Sequence, residues 1–124
     1  MKVIIAGGRD FDNYDYLSKT MKNLNIIVSE VVCGGARGAD SLGEKWAQIN
    51  GIPVKYFPAD WDGLGNYAGH ARNRQMAEYA DFLIAFWDGK SKGTQNMIST
   101  MQQLGKHGKV MRYENKGMSN PYPW

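Results

Sequence analysis

A glycine-rich turn between a strand and a helix is the stretch of this sequence best suited to chemistry. It lies within residues 30–46, which read EVVCGGARGADSLGEKW. The apolar residues 31–33 predict a buried strand, and the spacing of Ser41 and Glu44 predicts a capping box that opens a helix. Glycine lets the backbone take a positive φ and lets a ligand approach closely, and a helix N-terminus offers free N–H groups with partial positive charge. With Arg37 among its glycines, the turn is suited to an anion such as phosphate.

Three further segments lie near the carboxyl ends of predicted strands. Residues 7–11 and 87–94 directly follow strands and combine glycines with cations and acids, whereas residues 69–76, after the aromatic loop that follows the third strand, open a helix and carry a glycine and two arginines. In an open parallel sheet, ligands bind beyond the carboxyl ends of the strands, where the strand order reverses. We therefore expect the four turns to form one site for a nucleotide-like anion, with the ligand-binding residues Gly7, Gly8, Arg9, Asp10, Gly34, Gly35, Arg37, Gly38, Asp40, Arg72, Asn73, Asp88, Gly89, Ser91, Gly93 and Thr94.

The residue types suggest a role for each part of such a site. Arg37 and Arg72 would neutralise phosphate, and Asp10 or Asp88 would accept a hydrogen bond from a ribose hydroxyl. The backbone N–H groups of the glycine turns would hold the anion. No catalytic residue is identified by this pattern.

The elements that must position these turns alternate along the chain. Strands are predicted at residues 2–6, 31–33, 53–58, 81–87 and 109–113. Helices are predicted from about residue 12, at 41–50 and 70–80, and from Thr94, which is a suitable N-cap. This alternation predicts an α/β, three-layer Rossmann-like domain over residues 1–113 with strand order 3-2-1-4-5, followed by a C-terminal tail at 114–124.

Simpler interpretations exist for several of these residues. Glycine turns often serve packing alone, and Asp40 is equally well explained as a helix cap. Cations early in a helix oppose its dipole, so Arg72 and Arg74 indicate a bound anion or a nearby carboxylate, unless they are plain surface charges. The turn at 30–46 matches neither the Walker sequence nor the dinucleotide-binding fingerprint.

The aromatic loop between the third strand and the following helix is open to two interpretations. Trp61 and Tyr67 could stack on a base or could simply anchor the loop. His70 is expected to be a partly exposed loop residue and not a general base. Trp46 is expected in the core.

Composition narrows the class of protein. The chain has 124 residues and a net charge of +3, too mild to indicate bulk nucleic-acid binding. Its one cysteine, Cys33, lies in an apolar run, which predicts a core thiol in a reducing, cytoplasmic location. The sequence has no Cys/His cluster with metal-ligand spacing, no apolar run near the ~20 residues that span a bilayer, and no signal peptide. We expect no metal, no cofactor and no membrane partner.

The four turns together resemble the YspA/YpsA-related branch of the SLOG superfamily, which occurs in bacteria and phages. The similar segments are GGRDF at 7–11, GGARGAD at 34–40, GHARNRQM at 69–76 and WDGKSKGT at 87–94. The resemblance covers roughly residues 2–113 and implies a Rossmann-like fold. It also implies binding of a nucleotide or nucleotide-derived ligand, as a sensor or in conflict between phage and host.

Two other branches of the superfamily imply alternatives. LOG phosphoribohydrolases carry Pro-Gly-Gly-x-Gly-Thr-x-x-Glu, whereas this chain keeps Gly93 and Thr94 but has no carboxylate just after them. Cleavage of an N-glycosidic bond would then need Asp10, Asp40 or Asp88 as its acid. Resemblance to the branch of the DNA-processing protein DprA implies single-stranded DNA binding. Members of the superfamily often form homodimers through helices beside the site, which implies a possible homodimer here. Nucleotide binding is the first hypothesis, with the hydrolase and single-stranded DNA binding as alternatives.

Overall fold

Five parallel strands form the central sheet. In the computed structural model, which describes residues 1–35, 38–59, 63 and 65–113, they are β1 Lys2–Gly7, β2 Glu30–Cys33, β3 Val54–Tyr56, β4 Phe82–Trp87 and β5 His107–Arg112. They lie side by side in the order β3-β2-β1-β4-β5. The predicted α/β, Rossmann-like fold and its strand order are confirmed.

Helices connect the strands and cover both faces of the sheet. In the described ranges they are α1 Tyr14–Asn23, α2 Ala39–Ile49, α3 Ala68–Tyr79 and α4 Lys92–Gln103, with a 3₁₀ turn at Gly65–Tyr67. None of these described helices is long and apolar enough to cross a bilayer.

The central strand β1 shows how the sheet builds two cores. Successive side chains of a strand point to opposite faces. Ile4 and Ala6 therefore pack in the cluster that α3 and α4 complete, whereas Val3 and Ile5 pack in the cluster that α1 and α2 complete. Cys33 is fully buried in β2, as predicted.

Helix α2 begins earlier than predicted. Its N-cap is Gly38, at a φ of 75°, and this cap has no side-chain hydrogen bond. The Ala39 amide donates instead to the Gly8 carbonyl at 3.2 Å. The capping box predicted for Ser41 and Glu44 is therefore wrong, because a left-handed glycine reverses the chain before Ser41, which lies exposed inside the first turn.

Helix α4 also begins before its predicted cap. Ser91 is the N-cap, and its Oγ accepts a hydrogen bond from the Thr94 amide at 3.4 Å. Thr94 is only 4% exposed and lies in the first turn of the helix. The prediction of Thr94 as the cap is wrong, because Ser91 stands at the point where the backbone turns into the helix.

Other differences concern the periphery. Ile49, the last residue of α2, is 63% exposed. Trp46 is partly buried against the core. β3 is shorter than the predicted 53–58 and lies at the sheet edge, where Tyr56 is 47% exposed. The predicted tail at 114–124 lies outside the described residues.

Candidate functional site

A cavity of about 480 Å³ opens beyond the carboxyl ends of β1 and β4. These two strands are neighbours in the sheet, and their following helices, α1 and α4, lie on opposite faces. The cavity therefore lies at the reversal of strand order, where ligands of open α/β sheets bind. It is lined by Ala6, Gly7, Gly8, Arg9, Asp10, Asp40, Arg72, Asn73, Met76, Asp88, Ser91, Gly93, Thr94 and Met97.

Close backbone contacts that only glycine allows join the first turn to β4 and to the second turn. A Cβ on Gly7 would lie 2.3 Å from the Phe86 carbonyl oxygen, and one on Gly38 would lie 2.1 Å from the Gly8 carbonyl oxygen. That Gly8 oxygen accepts hydrogen bonds from the amides of both Phe11 and Ala39, each at 3.2 Å. The amide of Ala39 at the start of α2 is thus already occupied by the protein itself.

Arg72 is fixed at the cavity by two hydrogen bonds. Its Nη1 donates to the Gly34 carbonyl at 3.0 Å, and its Nε donates to Asn73 Oδ1 at 3.2 Å. A guanidinium carries five N–H donors, and these two bonds use two of them. The half-buried Arg72 is thereby held in place with donors left over for an anion.

Asn73 joins the arginine to the start of α4. The side chain is 8% exposed. Its Nδ2 donates to the Gly93 carbonyl at 3.2 Å and to Asn96 Oδ1 at 2.9 Å, while its Oδ1 accepts from Arg72. A single amide group therefore sets the separation of the Arg72 guanidinium from the Gly93 peptide.

The start of α4 keeps part of its anion-binding capacity. Asp88 Oδ1 accepts from the amides of Lys90 and Ser91, each at 2.8 Å, which shapes the turn. Ser91 accepts from Thr94, as described above. The amides of Lys92 and Gly93 make no hydrogen bond to any residue in the described ranges. A Cβ on Gly93 would meet nothing within 4 Å, so the peptide there is open to a ligand.

The carboxylates at the cavity differ in exposure. Asp40 is 7% exposed, and its Oδ2 accepts from the Gly34 amide at 3.1 Å. Asp10 is exposed at the rim, where its Oδ1 accepts from the Tyr113 hydroxyl at 2.5 Å. Burial, followed by this hydrogen bond to Asp10, raises the pKa of Tyr113 well above its ordinary value. The phenol therefore keeps its proton.

Most of the predicted binding residues line the cavity, and the remaining ones that the structure describes do not. Gly34 contacts Arg72, and Gly38 contacts the first turn, but neither lines the cavity; nor do Gly35 and Gly89. Arg37 lies outside the described residues.

The aromatic residues as well as His70 and Arg74, for which the sequence left alternatives or simpler interpretations, lie away from the cavity where the structure describes them. Trp61 lies outside the described residues. Tyr67 and His70 are exposed and stack on each other with ring centroids 6.1 Å apart, and neither lines the cavity. Arg74 has the carboxylate partner that its position indicated, Glu78 at 3.5 Å on the solvent side of α3.

Sequence reasoning missed the apolar floor of the cavity and the residue behind its rim. Ala6, Met76 and Met97 line the floor. Both methionines carry the helical periodicity of core residues, and nothing in that pattern distinguishes a core position from a cavity floor. Tyr113 was assigned to the end of a strand, and its contact with Asp10 spans 103 residues of sequence.

Comparison with known proteins supports the family resemblance. The family model of YspA, cpYpsA-related SLOG proteins matches residues 1–63. The Gene 61 protein of Mycobacterium phage D29 is 40% identical over an 81-residue alignment that covers 60% of this chain and 65% of that protein. The chain thus spans less than two thirds of the length of this curated relative.

A solved structure has the same fold. The X-ray structure of DNA processing protein A (DprA) from Streptococcus pneumoniae matches with a TM-score of 0.76 and 17% sequence identity. The match covers 94% of this chain and 52% of that chain. At this identity the likeness establishes the Rossmann-like architecture alone.

Proposed function

Because this chain belongs to the YspA, cpYpsA-related SLOG family, we propose that it binds a nucleotide or nucleotide-derived ligand at the carboxyl edge of its sheet. The phosphate of that ligand lies between the start of α4 and the Arg72 guanidinium. The sugar and base extend over the remainder of the cavity.

One observation carries the proposal. The Asn73 amide bonds both Arg72 and the Gly93 carbonyl, so a fixed cation and an open helix start lie within reach of one group. A helix N-terminus and an arginine are each suited to phosphate, and together they supply several donors and positive charge from two sides. Arg9, which is exposed at the rim and pairs with no residue in the described ranges, adds a second cation.

The size and floor of the cavity suit the rest of a nucleotide. Small-molecule sites commonly measure about 300–1,000 Å³ and combine an apolar lining with a few polar groups. The volume of about 480 Å³ lies within this range, and Met76 and Met97 provide apolar surface beneath it. A sugar or base ring can pack against these side chains.

The charges at the cavity favour a ligand with one phosphate group. Among the described lining residues, three carboxylates (Asp10, Asp40, Asp88) stand against two guanidinium groups (Arg9, Arg72). Each further phosphate would bring negative charge toward those carboxylates, which is unfavourable in a partly enclosed site. The ligand class is therefore a nucleoside monophosphate or a comparable sugar phosphate.

A thermal-shift screen with nucleotides tests the proposal, with two matched arginine variants. We expect the best nucleotide, at ~100 Kd, to stabilise the protein by about 2.7 kcal/mol. Arg72→Ala should abolish that shift, whereas Arg74→Ala should retain it, because Arg74 sits on the same helix but pairs with Glu78 in solvent. The melting temperature of each variant without nucleotide records any loss of folding.

The proposal is overturned if nucleotides leave the melting temperature of the unaltered protein unchanged. It is also overturned if the Arg72→Ala protein, folded by its circular dichroism spectrum, keeps the full shift.

A phosphoribohydrolase is the second candidate, and the exposure of Asp10 at the cavity rim favours it. Asp10 is exposed at the rim, whereas Asp40 is only 7% exposed and Asp88 Oδ1 holds two backbone amides of its own turn, so Asp10 is the more accessible acid for glycosidic cleavage. Incubation with AMP would then release free adenine, and Asp10→Asn would abolish the release. Binding without any base release leaves the first proposal standing and removes this one.

Single-stranded DNA binding makes a different prediction. Its affinity would fall steeply with added salt, because counterions are released from the phosphate backbone. Binding of a single nucleotide in the cavity depends far less on salt. A titration of a fluorescent oligonucleotide at two salt concentrations separates the two.

A further inference from the structure

The residue that follows the last strand, Tyr113, reaches the rim of the proposed site with its hydroxyl. The Tyr113 amide donates to the Trp87 carbonyl at 3.3 Å, so the β4–β5 pairing continues one residue past β5. The Tyr113 ring packs against Phe11, with centroids 4.8 Å apart. From there its hydroxyl donates to Asp10. The end of the sheet is thus connected to the first glycine turn.

The phenol lies directly over the backbone of that turn. A Cβ on Gly8 would be 2.0 Å from Tyr113 Oη, so the close approach requires glycine there. Gly8 and Asp10 both line the cavity, whereas Tyr113 does not. Tyr113 therefore contacts the site residues without being placed to contact a ligand.

In this pair the Tyr113 hydroxyl is the hydrogen-bond donor and the Asp10 carboxylate is the acceptor. The phenol keeps its proton at neutral pH, so it donates steadily to the carboxylate. An ionised carboxylate has about four acceptor positions, and the phenol occupies one of them beside the other contacts of Asp10. This hydrogen bond restricts the rotamers of the carboxylate, and fixing a group in advance lowers the entropic cost of ligand binding.

We propose that Tyr113 is a positioning residue that presents the Asp10 carboxylate to a hydroxyl on the sugar of the ligand. The inference rests on the proposed function and adds a determinant of specificity to it. Phosphate is held at the opposite side, by Arg72 and the start of α4. Tyr113 should therefore affect recognition of the sugar and leave recognition of phosphate unchanged.

The test measures binding of two probes, inorganic phosphate and D-ribose 5-phosphate, by titration calorimetry or NMR on the full chain. The ratio of their affinities reports the contribution of the sugar. Tyr113→Phe removes only the hydroxyl, and we expect it to lower this ratio by about three- to tenfold, the usual range for one hydrogen bond. Affinity for inorganic phosphate should not change.

Tyr16→Phe is the matched control. Tyr16 belongs to the same aromatic cluster, with its ring 6.2 Å from Phe11, but its hydroxyl donates to the Arg112 carbonyl and not to Asp10. Tyr16→Phe should leave the ratio of affinities unchanged.

A double-mutant cycle completes the test. In an Asp10→Asn background, Tyr113→Phe should cause no further fall in the ratio, because the two residues act through one interaction.

Four outcomes overturn the inference alone. Tyr113→Phe could leave the ratio unchanged, the ratio could fall equally in Tyr113→Phe and Tyr16→Phe, affinity for phosphate could fall as much as affinity for the sugar phosphate, or the unaltered protein could fail to prefer the sugar phosphate. If phosphate binds the unaltered protein but not Arg72→Ala, the proposed function stands whatever Tyr113 does. If neither probe binds, the proposed function and the inference fall together.

Discussion

At the scale of single residues, several polar side chains at the cavity hold backbone as well as line the site. Asp40 accepts from Gly34, Asp88 accepts from two successive amides, and Arg72 donates to the Gly34 carbonyl. The sequence predicted the residue types at this edge but not these partners, because hydrogen bonds between turns depend on tertiary structure. Their consequence is a site whose shape is largely set before a ligand arrives.

The buried thiol of Cys33 gives a prediction about pH. Burial raises its pKa from 9.0 to about 11. The folded protein thus keeps this proton where the unfolded chain has released it. The contribution of Cys33 to stability is complete below pH 9.0 and is lost as pH rises toward about 11. Between these values, Cys33→Ala should lose less stability than the unaltered protein.

Urea denaturation across this pH range measures the effect. All other groups are common to the two proteins, so the difference in slope isolates the thiol. Equal slopes in the two proteins would show that Cys33 is not protected from ionisation.

At the scale of elements, strands were predicted better than helix starts. β1, after its first residue Lys2, and β4 are apolar because both faces of a central parallel strand are covered, and this pattern is visible in the sequence. The start of α2 is not visible in the sequence, because Gly38 caps this helix through backbone geometry alone. Ser41 and Glu44 have capping-box spacing but do not form the cap. A positive φ has no unique signature among several glycines.

Two glycines offer a matched test of the turn before α2. Gly38 and Gly51 have φ values of 75° and 66°, but a Cβ on Gly51 would meet nothing within 4 Å. Gly51→Ala should cost about 1 kcal/mol, the penalty for an L-residue in this region. Gly38→Ala should cost about 2–4 kcal/mol, because overpacking against the Gly8 peptide is added.

Chemical denaturation of both variants gives the comparison. A Gly38→Ala protein no less stable than Gly51→Ala would mean that the two turns are not packed together. Loss of nucleotide binding only in the Gly38 variant would further tie the turn to the site.

At the scale of the whole molecule, convergence of the turns followed from topology. A parallel sheet brings the carboxyl ends of its strands to one edge, so Arg9, Asp40, Arg72 and Thr94 could be placed together from sequence. The apolar floor could not be predicted from the sequence, because Met76 and Met97 have the spacing of ordinary core residues. The contact of Tyr113 with Asp10 could not be predicted either, since it joins the first turn to the end of the last strand.

The charge balance of the cavity predicts how ligands should rank. AMP should stabilise the protein more than ADP, and ADP more than ATP, at equal concentration in metal-free buffer, because each phosphate adds repulsion from the three carboxylates. Asp10→Asn should narrow the difference between AMP and ATP. Melting temperatures at matched ionic strength measure the ranking, and a stronger effect of ATP would contradict it.

The shared acceptor at Gly8 joins the border of the cavity to the start of α2. The Gly8 carbonyl oxygen accepts hydrogen bonds from the amides of Phe11 and Ala39, so the peptide that borders the cavity also holds the start of α2. A substitution that displaces this peptide would therefore disturb the start of α2 as well as the border of the cavity.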